Sequence, residues 1–283
     1  MKIEDLKQYI SGQKGKGRNI GFVPTMGALH AGHISLVQKA KNEDMLTVCS
    51  IFVNPTQFND KSDLAKYPIS VDADMELLLK AGCDMLFLPS VEEIYPGGED
   101  NIKVYDFGYL DTILEGAKRP GHFKGVGQVV GRLLEIVEPT ALYMGQKDYQ
   151  QCMVVRKLID IMALNGLKME ICPTTREADG LAMSSRNRRL TEPQRLVAGC
   201  IYQCLVSIES KQNSDNFELV RKECEDLLAA KGFATEYVAL ADARDLTLLD
   251  NYKSDTPMVA LIAAKIGEIR LIDNILLEDS RNS

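Results

Sequence analysis

Ile20-Gly21-Phe22-Val23-Pro24-Thr25-Met26-Gly27-Ala28-Leu29-His30-Ala31-Gly32-His33-Ile34-Ser35-Leu36-Val37-Gln38-Lys39-Ala40 decides the fold class. The apolar run at its head reads as a strand, Pro24 and Gly27 break it, and a helical pattern follows from His33. His30 and His33 stand three apart in the first turns of that helix and so share a face. Gly32 between them lets a ligand approach the backbone closely. A helix that starts where a strand ends offers outward N–H groups and the positive end of its dipole, which favours an anion. Two imidazoles added there suit a phosphate chain that grows more negative as it reacts. The plainer reading of the same residues is a helix start that carries two exposed histidines.

Working outward, strand-like runs at Asn19–Val23, Leu46–Val53, Met85–Leu88, Ala141–Met144 and Lys168–Cys172 alternate with helical periodicity at His33–Lys41, Val71–Ala81, Val126–Val137 and Tyr149–Leu164. That alternation predicts an α/β fold with a doubly wound, Rossmann-like parallel sheet. In such a sheet ligands bind beyond the C-terminal ends of the strands. Two helical segments, 193–210 and 216–231, then precede strand-like runs at Glu236–Leu240, Met258–Ala263 and Ile269–Asp273, an order that predicts a smaller C-terminal α+β domain. The boundary is placed between 184 and 185, giving domains 1–184 and 185–283. The stretches Asp60–Ser70 and Val91–Asn101 read as polar and irregular.

Composition narrows the function classes. At 283 residues, with 45% hydrophobic and 26% charged residues, the chain has the make-up of a soluble globular protein of about two domains. Its net charge of −7 offers no global attraction to nucleic acid or to an acidic membrane. The N-terminal residues lack the apolar core of a signal peptide, and no apolar run reaches the ~20 residues that span a bilayer. A cytoplasmic setting is expected. The cysteines, at 49, 83, 152, 172, 200, 204 and 224, are odd in number and form no Cys-x-x-Cys pair, so they read as reduced thiols. The histidines, only His30, His33 and His122, all lie in Gly-containing motifs.

Three further segments carry chemistry. After the second strand, Asn54-Pro55-Thr56-Gln57 places two amides at the sheet edge, where neutral donors and acceptors read hydroxyls and carboxylates, although a polar turn would look the same. Arg119-Pro120-Gly121-His122-Phe123-Lys124-Gly125-Val126-Gly127 reads as a basic, Gly-rich loop leading into a helix, suited to an anion. Its glycine spacing departs from a dinucleotide fingerprint and no apolar strand precedes it, so no nicotinamide site is expected. After the fourth strand, Gly145-Gln146-Lys147-Asp148-Tyr149-Gln150-Gln151 offers close backbone approach at Gly145, a point charge for phosphate at Lys147 and a ribose-hydroxyl acceptor or helix cap at Asp148. Gln151 falls one turn into the next helix. Finally, Arg176-Glu177-Ala178-Asp179-Gly180-Leu181-Ala182-Met183-Ser184-Ser185-Arg186-Asn187 reads as an interdomain anion clamp that could close over phosphates, or as a solvated linker.

His30-x-Gly32-His33 followed by Met183-Ser184-Ser185-Arg186 resembles the paired signatures of the HIGH/KMSKS nucleotidyl-transfer superfamily. With PTMGALHAGH, IFVNPTQF, RPGHFKGVGQVV, GQKDYQQ and READGLAMSSRN in this order between residues 24 and 187, the chain resembles the pantoate–β-alanine ligase family. Gln146 stands where the family often has Glu, and Thr175 where it often has an aliphatic residue.

The resemblance implies ATP-dependent joining of (R)-pantoate to β-alanine through a pantoyl adenylate, with release of AMP and pyrophosphate, on the route to pantothenate and coenzyme A. It implies catalytic roles for His30, His33, Lys147, Ser185 and Arg186. It lines ATP with Met26, Gly27, Ala28, Leu29, His30, Ala31, Gly32, His33, Gly145, Gln146, Lys147, Asp148, Thr175 (through its backbone), Met183, Ser184, Ser185 and Arg186. Gln57 and Gln151 hold pantoate, and Asn54, Arg119 and His122 stand around the substrate acids. Mg2+ rides on the ATP phosphates and no side chain is expected to hold it. A homodimer is implied, with no nucleic-acid or membrane partner. Two alternatives remain at this stage: another nucleotidyl transferase of the superfamily, such as a tRNA-charging core or one using a different small acid, and a non-catalytic nucleotide-binding regulator.

Overall fold

The computed structural model describes residues 2–58, 64–65, 67–98, 102–212, 214 and 216–277. Much of the irregular stretch expected over 60–70, and the end of the one over 91–101, lie outside the described residues. The chain forms two compact units: Met1–Gly145 with Gln150–Pro173, and Gln146–Tyr149 with Thr174–Ser283.

In chain order the first unit contains α1 (Ile3–Lys14), β1 (Ile20–Thr25), α2 (Ala31–Asn42), β2 (Leu46–Ile51), α3 (Val71–Lys80), β3 (Met85–Phe87), α4 (Val91–Ile94), α5 (Leu114–Lys118), α6 (His122–Val137), β4 (Ala141–Gly145), most of α7 (Tyr149–Ile161) and β5 (Lys168–Cys172). The five strands form one parallel sheet in the order β3-β2-β1-β4-β5. The near-continuous burial of β1, β2 and β4 is what a parallel sheet covered on both faces requires. On one face Val23, Cys49, Ile51 and Tyr143 pack with Leu36, Val37 and Ala40 of α2 and Leu78 of α3. The chain runs from β1 outward to β3 and then crosses back to β4 on the other side of β1. The strand order therefore reverses beside β1, the topological switch point at which such sheets bind ligands.

Among the α-helices given above for the first unit, α1, α4 and α5 were not read from the sequence. Helix α1 buries Ile3, Leu6 and Ile10 at helical spacing. Helix α4 is a single turn in the stretch expected to be irregular, closed by the reciprocal Ser90–Glu93 capping box. Helix α6 starts at His122 rather than at Val126, straight after the left-handed Gly121.

The second unit carries α8 (Glu192–Ala198), α9 (Cys200–Ser210) and α10 (Phe217–Ala230), then an antiparallel sheet of β6 (Ala234–Asp242), β7 (Leu248–Leu249), β8 (Met258–Ile266) and β9 (Ile269–Leu277) in the order β7-β6-β8-β9. Its core joins Ile201, Leu205, Ile208, Val220 and Leu228 of the helices to Leu240, Ala260, Ile262 and Leu271 of the sheet. The single helix expected over 193–210 is interrupted at Gly199, where a Cβ would lie 2.8 Å from the Asp179 carbonyl.

The units divide after Pro173, whereas the sequence reading drew its boundary after Ser184. Strand β5 ends at Cys172, and from Thr174 the chain enters a hairpin bridged at Arg176 and Ala182. Arg176 binds Asp273 of β9 bidentately at 2.5 and 3.1 Å, which ties this segment to the second unit. No helix among the described residues is long and apolar enough to cross a membrane.

Candidate active site

The loop after β1 is held by side chains the sequence reading passed over. Gly27 and Ala28 both take left-handed backbone, at φ +80° and +50°. The Asp74 carboxylate, buried on α3, accepts the Ala28 N–H and the Leu29 N–H, each at 2.8 Å, and the Ser70 hydroxyl at 3.1 Å. Thr25 accepts the Gly27 N–H at 3.2 Å and donates to the Ser50 carbonyl at 2.7 Å. Ala28 and Leu29 are fully buried and their N–H groups serve this turn. The available signal for Asp74 was an acid three residues after Val71 and four before Leu78, on the face of α3 that turns inward.

The two histidines then cap α2 reciprocally. His30 is the N-cap, and its Nδ1 accepts the Gly32 N–H at 3.2 Å. His33 Nδ1 accepts the His30 N–H at 3.3 Å. The ring centroids lie 4.1 Å apart. A nitrogen that accepts from a backbone N–H carries no proton, so each neutral ring must hold its hydrogen on Nε2. The helix start thus carries two tautomerically fixed imidazoles, with the His30 and Gly32 N–H groups spent on the rings themselves.

The second-strand loop is locked in the same unit. Buried Asn54 donates from Nδ2 to Gln57 Oε1 at 3.3 Å and to the Gly125 carbonyl at 3.2 Å, while its Oδ1 accepts from Tyr95 at 2.8 Å and from Thr56 at 3.1 Å. Asn54 therefore holds Gln57 in place, and Gln57 reaches Met26 of the first loop through Nε2. His122 Nδ1 lies 2.9 Å from the Gln57 carbonyl and Nε2 lies 3.1 Å from the Arg119 guanidinium. A carbonyl only accepts and a guanidinium only donates, so His122 is a neutral Nδ1–H tautomer fixed between the two. The glycines of the Arg119–Gly131 motif make room rather than a loop. A Cβ on Gly125 would fall 2.4 Å from the Thr56 carbonyl, and one on Gly127 would fall 2.5 Å from the Phe107 ring. The basic Gly-rich loop expected there is the first turn and a half of α6, packed against the Asn54–Gln57 turn.

The Gly145–Gln151 segment divides. A Cβ on Gly145 would meet no protein atom, so the fold itself does not demand a glycine there. Gln146–Asp148 form a 3-10 turn in the second unit, with the Lys147 ammonium 3.8 Å from Asp148. Of the two glutamines, buried Gln150 spends its amide internally, accepting from Glu115 N–H at 2.9 Å and donating to the carbonyls of Leu110 and Ile113. Gln151 is half-buried, in keeping with a surface role.

The segment that ends in Met183–Arg186 is a braced hairpin, not a solvated linker. Arg176 stacks over Tyr202 at 4.0 Å and donates to the Gly180 carbonyl at 3.0 Å, and Asp179 pairs with Arg195. The Arg195 guanidinium holds the Asp179 carboxyl below its usual range. Met183 N–H donates to the Thr175 carbonyl at 2.9 Å, and Ser184 caps the next turn by accepting the Arg186 N–H at 3.3 Å. Ser185 is buried and Arg186 half-buried.

The first unit therefore brings together Met26, His30, Ala31, Gly32, His33, Asn54, Gln57, Arg119 and His122 near the C-terminal ends of β1 and β2, and also holds Gly145 and Gln151. The second holds Gln146, Lys147, Asp148, Thr175, Met183, Ser184, Ser185 and Arg186. None of the seven cysteines is in a disulfide, and burial pushes the thiols of Cys172 and Cys200 up to about 11, which makes these two poor nucleophiles.

Comparison with known proteins places this geometry. The family model described as pantoate-beta-alanine ligase matches residues 1–276. The chain is 46% identical over 274 residues to the pantothenate synthetase of Phocaeicola vulgatus, covering 96% of each protein, and 45% identical over 279 residues to that of Bacteroides fragilis, covering 98% of each. The crystal structure of pantothenate synthetase from Thermus thermophilus superposes with a TM-score of 0.89 at 37% identity, covering 98% of both chains. The pantoate-beta-alanine ligase of Francisella tularensis, solved with beta-gamma ATP and beta-alanine, superposes with a TM-score of 0.78 at 38% identity over 96% of this chain and 95% of that one. On the extent of these matches, the chain belongs to the pantoate–β-alanine ligase family.

Proposed function

We propose that the chain joins pantoate to β-alanine at the expense of ATP, by way of a pantoyl adenylate. The observation that carries the chemistry is the reciprocal His30–His33 cap at the head of α2, which fixes the protons of the neutral rings on Nε2 beside a helix N-terminus. Family membership and the β-alanine and ATP analogue in the Francisella tularensis ligase support the substrates.

A carboxylate is a poor acyl donor until one of its oxygens belongs to a good leaving group. In the first half-reaction a pantoate carboxylate oxygen bonds to the α-phosphorus of ATP, the bond from that phosphorus to the bridging oxygen breaks, and pyrophosphate leaves. Transfer at phosphorus needs positioning and charge stabilisation more than a protein nucleophile. His30, His33, Lys147, Ser185 and Arg186 supply donors and positive charge, and they act most on the charge that grows on the departing pyrophosphate. Gln57 and Gln151 read the hydroxyls and carboxylate of pantoate, with His122 and Asn54 holding Gln57 in register. In the second half-reaction the free amine of β-alanine bonds to the acyl carbon, AMP leaves with the carbon–oxygen bond pair, and the amine loses a proton.

Mg2+ belongs to the nucleotide in this reading. No group of three His, Cys, Asp or Glu among the described residues could hold an ion, and Mg2+ ordinarily keeps waters and phosphate oxygens with one or two carboxylates at most. Asp148 is the exposed carboxylate of the Gln146–Asp148 turn, and its role in this reading is to accept a ribose hydroxyl. Cysteines outside any disulfide fit a cytoplasmic setting. The homodimer implied by the resemblance is tested by sedimentation. The function is tested by product analysis with ATP, pantoate and β-alanine: AMP, pyrophosphate and pantothenate are expected, with pyrophosphate–ATP exchange that needs pantoate but not β-alanine. Release of ADP and phosphate would exclude the adenylate route.

A further inference from the structure

We infer that Asn274, on the last strand of the second unit, is the positioning residue for Lys147; the inference rests on the phosphate-binding role proposed for Lys147. Gln146–Tyr149 sit in sequence between β4 and the body of α7, both of the first unit, yet they cluster with the second. The hydrogen bonds of Asn274 supply a cause. Its Nδ2 donates to the Gln146 carbonyl and to the Lys147 carbonyl, each at 2.9 Å, and its Oδ1 accepts the Gln146 side-chain amide at 3.2 Å. Both amide protons are thus spent on consecutive carbonyls. Two adjacent carbonyls held by one side chain orient two successive peptide planes, and with them the direction in which the Lys147 side chain leaves the backbone.

The clamp is built rather than incidental. Asn274 is 1% exposed, in mid-strand opposite Leu261 of β8, a place where a polar residue costs stability unless every group is paired. Its backbone is paired as well: its N–H donates to Asp273 Oδ1 at 2.8 Å and its carbonyl accepts from Arg176 at 3.2 Å. Asp273 in turn anchors Arg176, the root of the hairpin that leads to Met183–Arg186. Burial pushes the Asp273 carboxyl up, against the pull of Arg176. Adjacent residues of β9 therefore set two segments proposed to meet the phosphates: Asn274 sets the Lys147 turn, and Asp273 sets the Arg176 hairpin. No other amino acid of similar size offers the same pair of donors, because Asp lacks the protons and Leu lacks the polarity.

The test is a double-mutant cycle on the full-length protein, read by rapid-quench formation of the adenylate from ATP and pantoate. Asn274→Leu keeps the γ-branched outline, with bulkier methyl ends, and removes both donors. Adenylate formation should slow by about ten- to a hundredfold, the scale of a misplaced catalytic group. The KM for ATP should change much less than kcat, and thermal melting should report a folded protein. The deciding measurement is the same substitution in a Lys147→Ala background. A residue that acts through Lys147 should cause no further slowing there, whereas one with a merely structural role would multiply the two losses. Should Asn274→Leu not fold, Asn274→Ala, which leaves room for water to take both carbonyls, is read in the same cycle. Multiplied losses, or normal adenylation in the folded single variant, overturn the inference. Normal adenylation by Lys147→Ala would instead overturn the role given to Lys147 itself, and absence of AMP from the unmodified protein would overturn the proposed function.

Discussion

Replacing Asp74 by Asn keeps the shape of the side chain and removes its charge and one acceptor. The carboxylate receives three hydrogen bonds, from the buried Ala28 and Leu29 N–H groups and from the partly buried Ser70 hydroxyl. An amide can accept one of the two N–H groups through Oδ1, but its own N–H then faces the other, donor against donor. A buried donor left unpaired costs ~1–3 kcal/mol, so Asp74→Asn should cost about that much and Asp74→Ala, which strands both, ~2–6 kcal/mol. The turn has little to fall back on, because Ala28 at φ +50° is in a conformation that costs an L-residue ~1–2 kcal/mol on its own. Against a typical total of ~5–15 kcal/mol the Ala variant approaches the limit of a folded protein, whereas the Asn variant stays within it. The Asn variant is thus the informative one. Gly27–Leu29 lead directly into His30, so a relaxed turn displaces both imidazoles, and a 1 Å displacement of such groups costs up to ~10² in rate. Urea unfolding gives the stability change, and pantoate-dependent pyrophosphate–ATP exchange gives the effect on chemistry. A stability loss with undiminished exchange would refute the claim that Asp74 positions the histidines. No change in either would refute the hydrogen-bond accounting.

Other outcomes follow from the same geometry. Gly125→Ala places a Cβ 2.4 Å from the Thr56 carbonyl and 2.7 Å from Gln57 Cα, so it should destabilise by ~1–3 kcal/mol and raise the KM for pantoate well above any change for ATP; equal shifts for both substrates on steady-state kinetics would contradict the pocket. His33→Ala removes a donor and one half of the cap, and kcat should fall by ~10²–10³ with the protein still folded, as measured by turnover alongside circular dichroism. Burial raises the Glu236 carboxyl, but Arg270 at 2.9 Å and Lys265 at 3.1 Å outweigh it and leave it below its usual range. A depressed folded value means stabilisation present above the unfolded carboxylate range and lost as the pH falls through the folded value. Glu236→Gln should therefore lower the melting temperature near neutrality and make little difference in strong acid; an equal deficit at both would assign the loss to packing.

Local chemistry was enough to set much of this protein. Gly27, the histidine pair and the apolar periodicity around them specify a strand and a capped helix, and the recurrence of that pattern specifies a parallel sheet, although Pro24 does not break the strand as expected: β1 runs through it to Thr25, paired with Ser50 and Ile51 of β2. The motifs that carry the family resemblance lie in single loops, so they were legible as strings. What could not be read were the partners of buried polar groups, because they are set by chain segments far apart. Asp74 stands 46 residues beyond the Ala28 N–H it accepts, and Asn274 stands 128 beyond the Gln146 carbonyl it holds. Nothing local marks either as more than a polar residue on an apolar face. The same holds for the glycines of α6, which look like loop residues until Thr56 and Phe107 are seen against them. Gln150 and Gln151 are equivalent as letters, and only packing spends the first on Leu110, Ile113 and Glu115 and leaves the second half-buried. Which compact unit carries the Lys147 turn was likewise settled by tertiary hydrogen bonds rather than by order along the chain. Periodicity and turn chemistry act over a few residues and are written in the sequence itself, whereas satisfaction of a buried donor depends on whichever distant group the finished fold brings within about 3 Å of it.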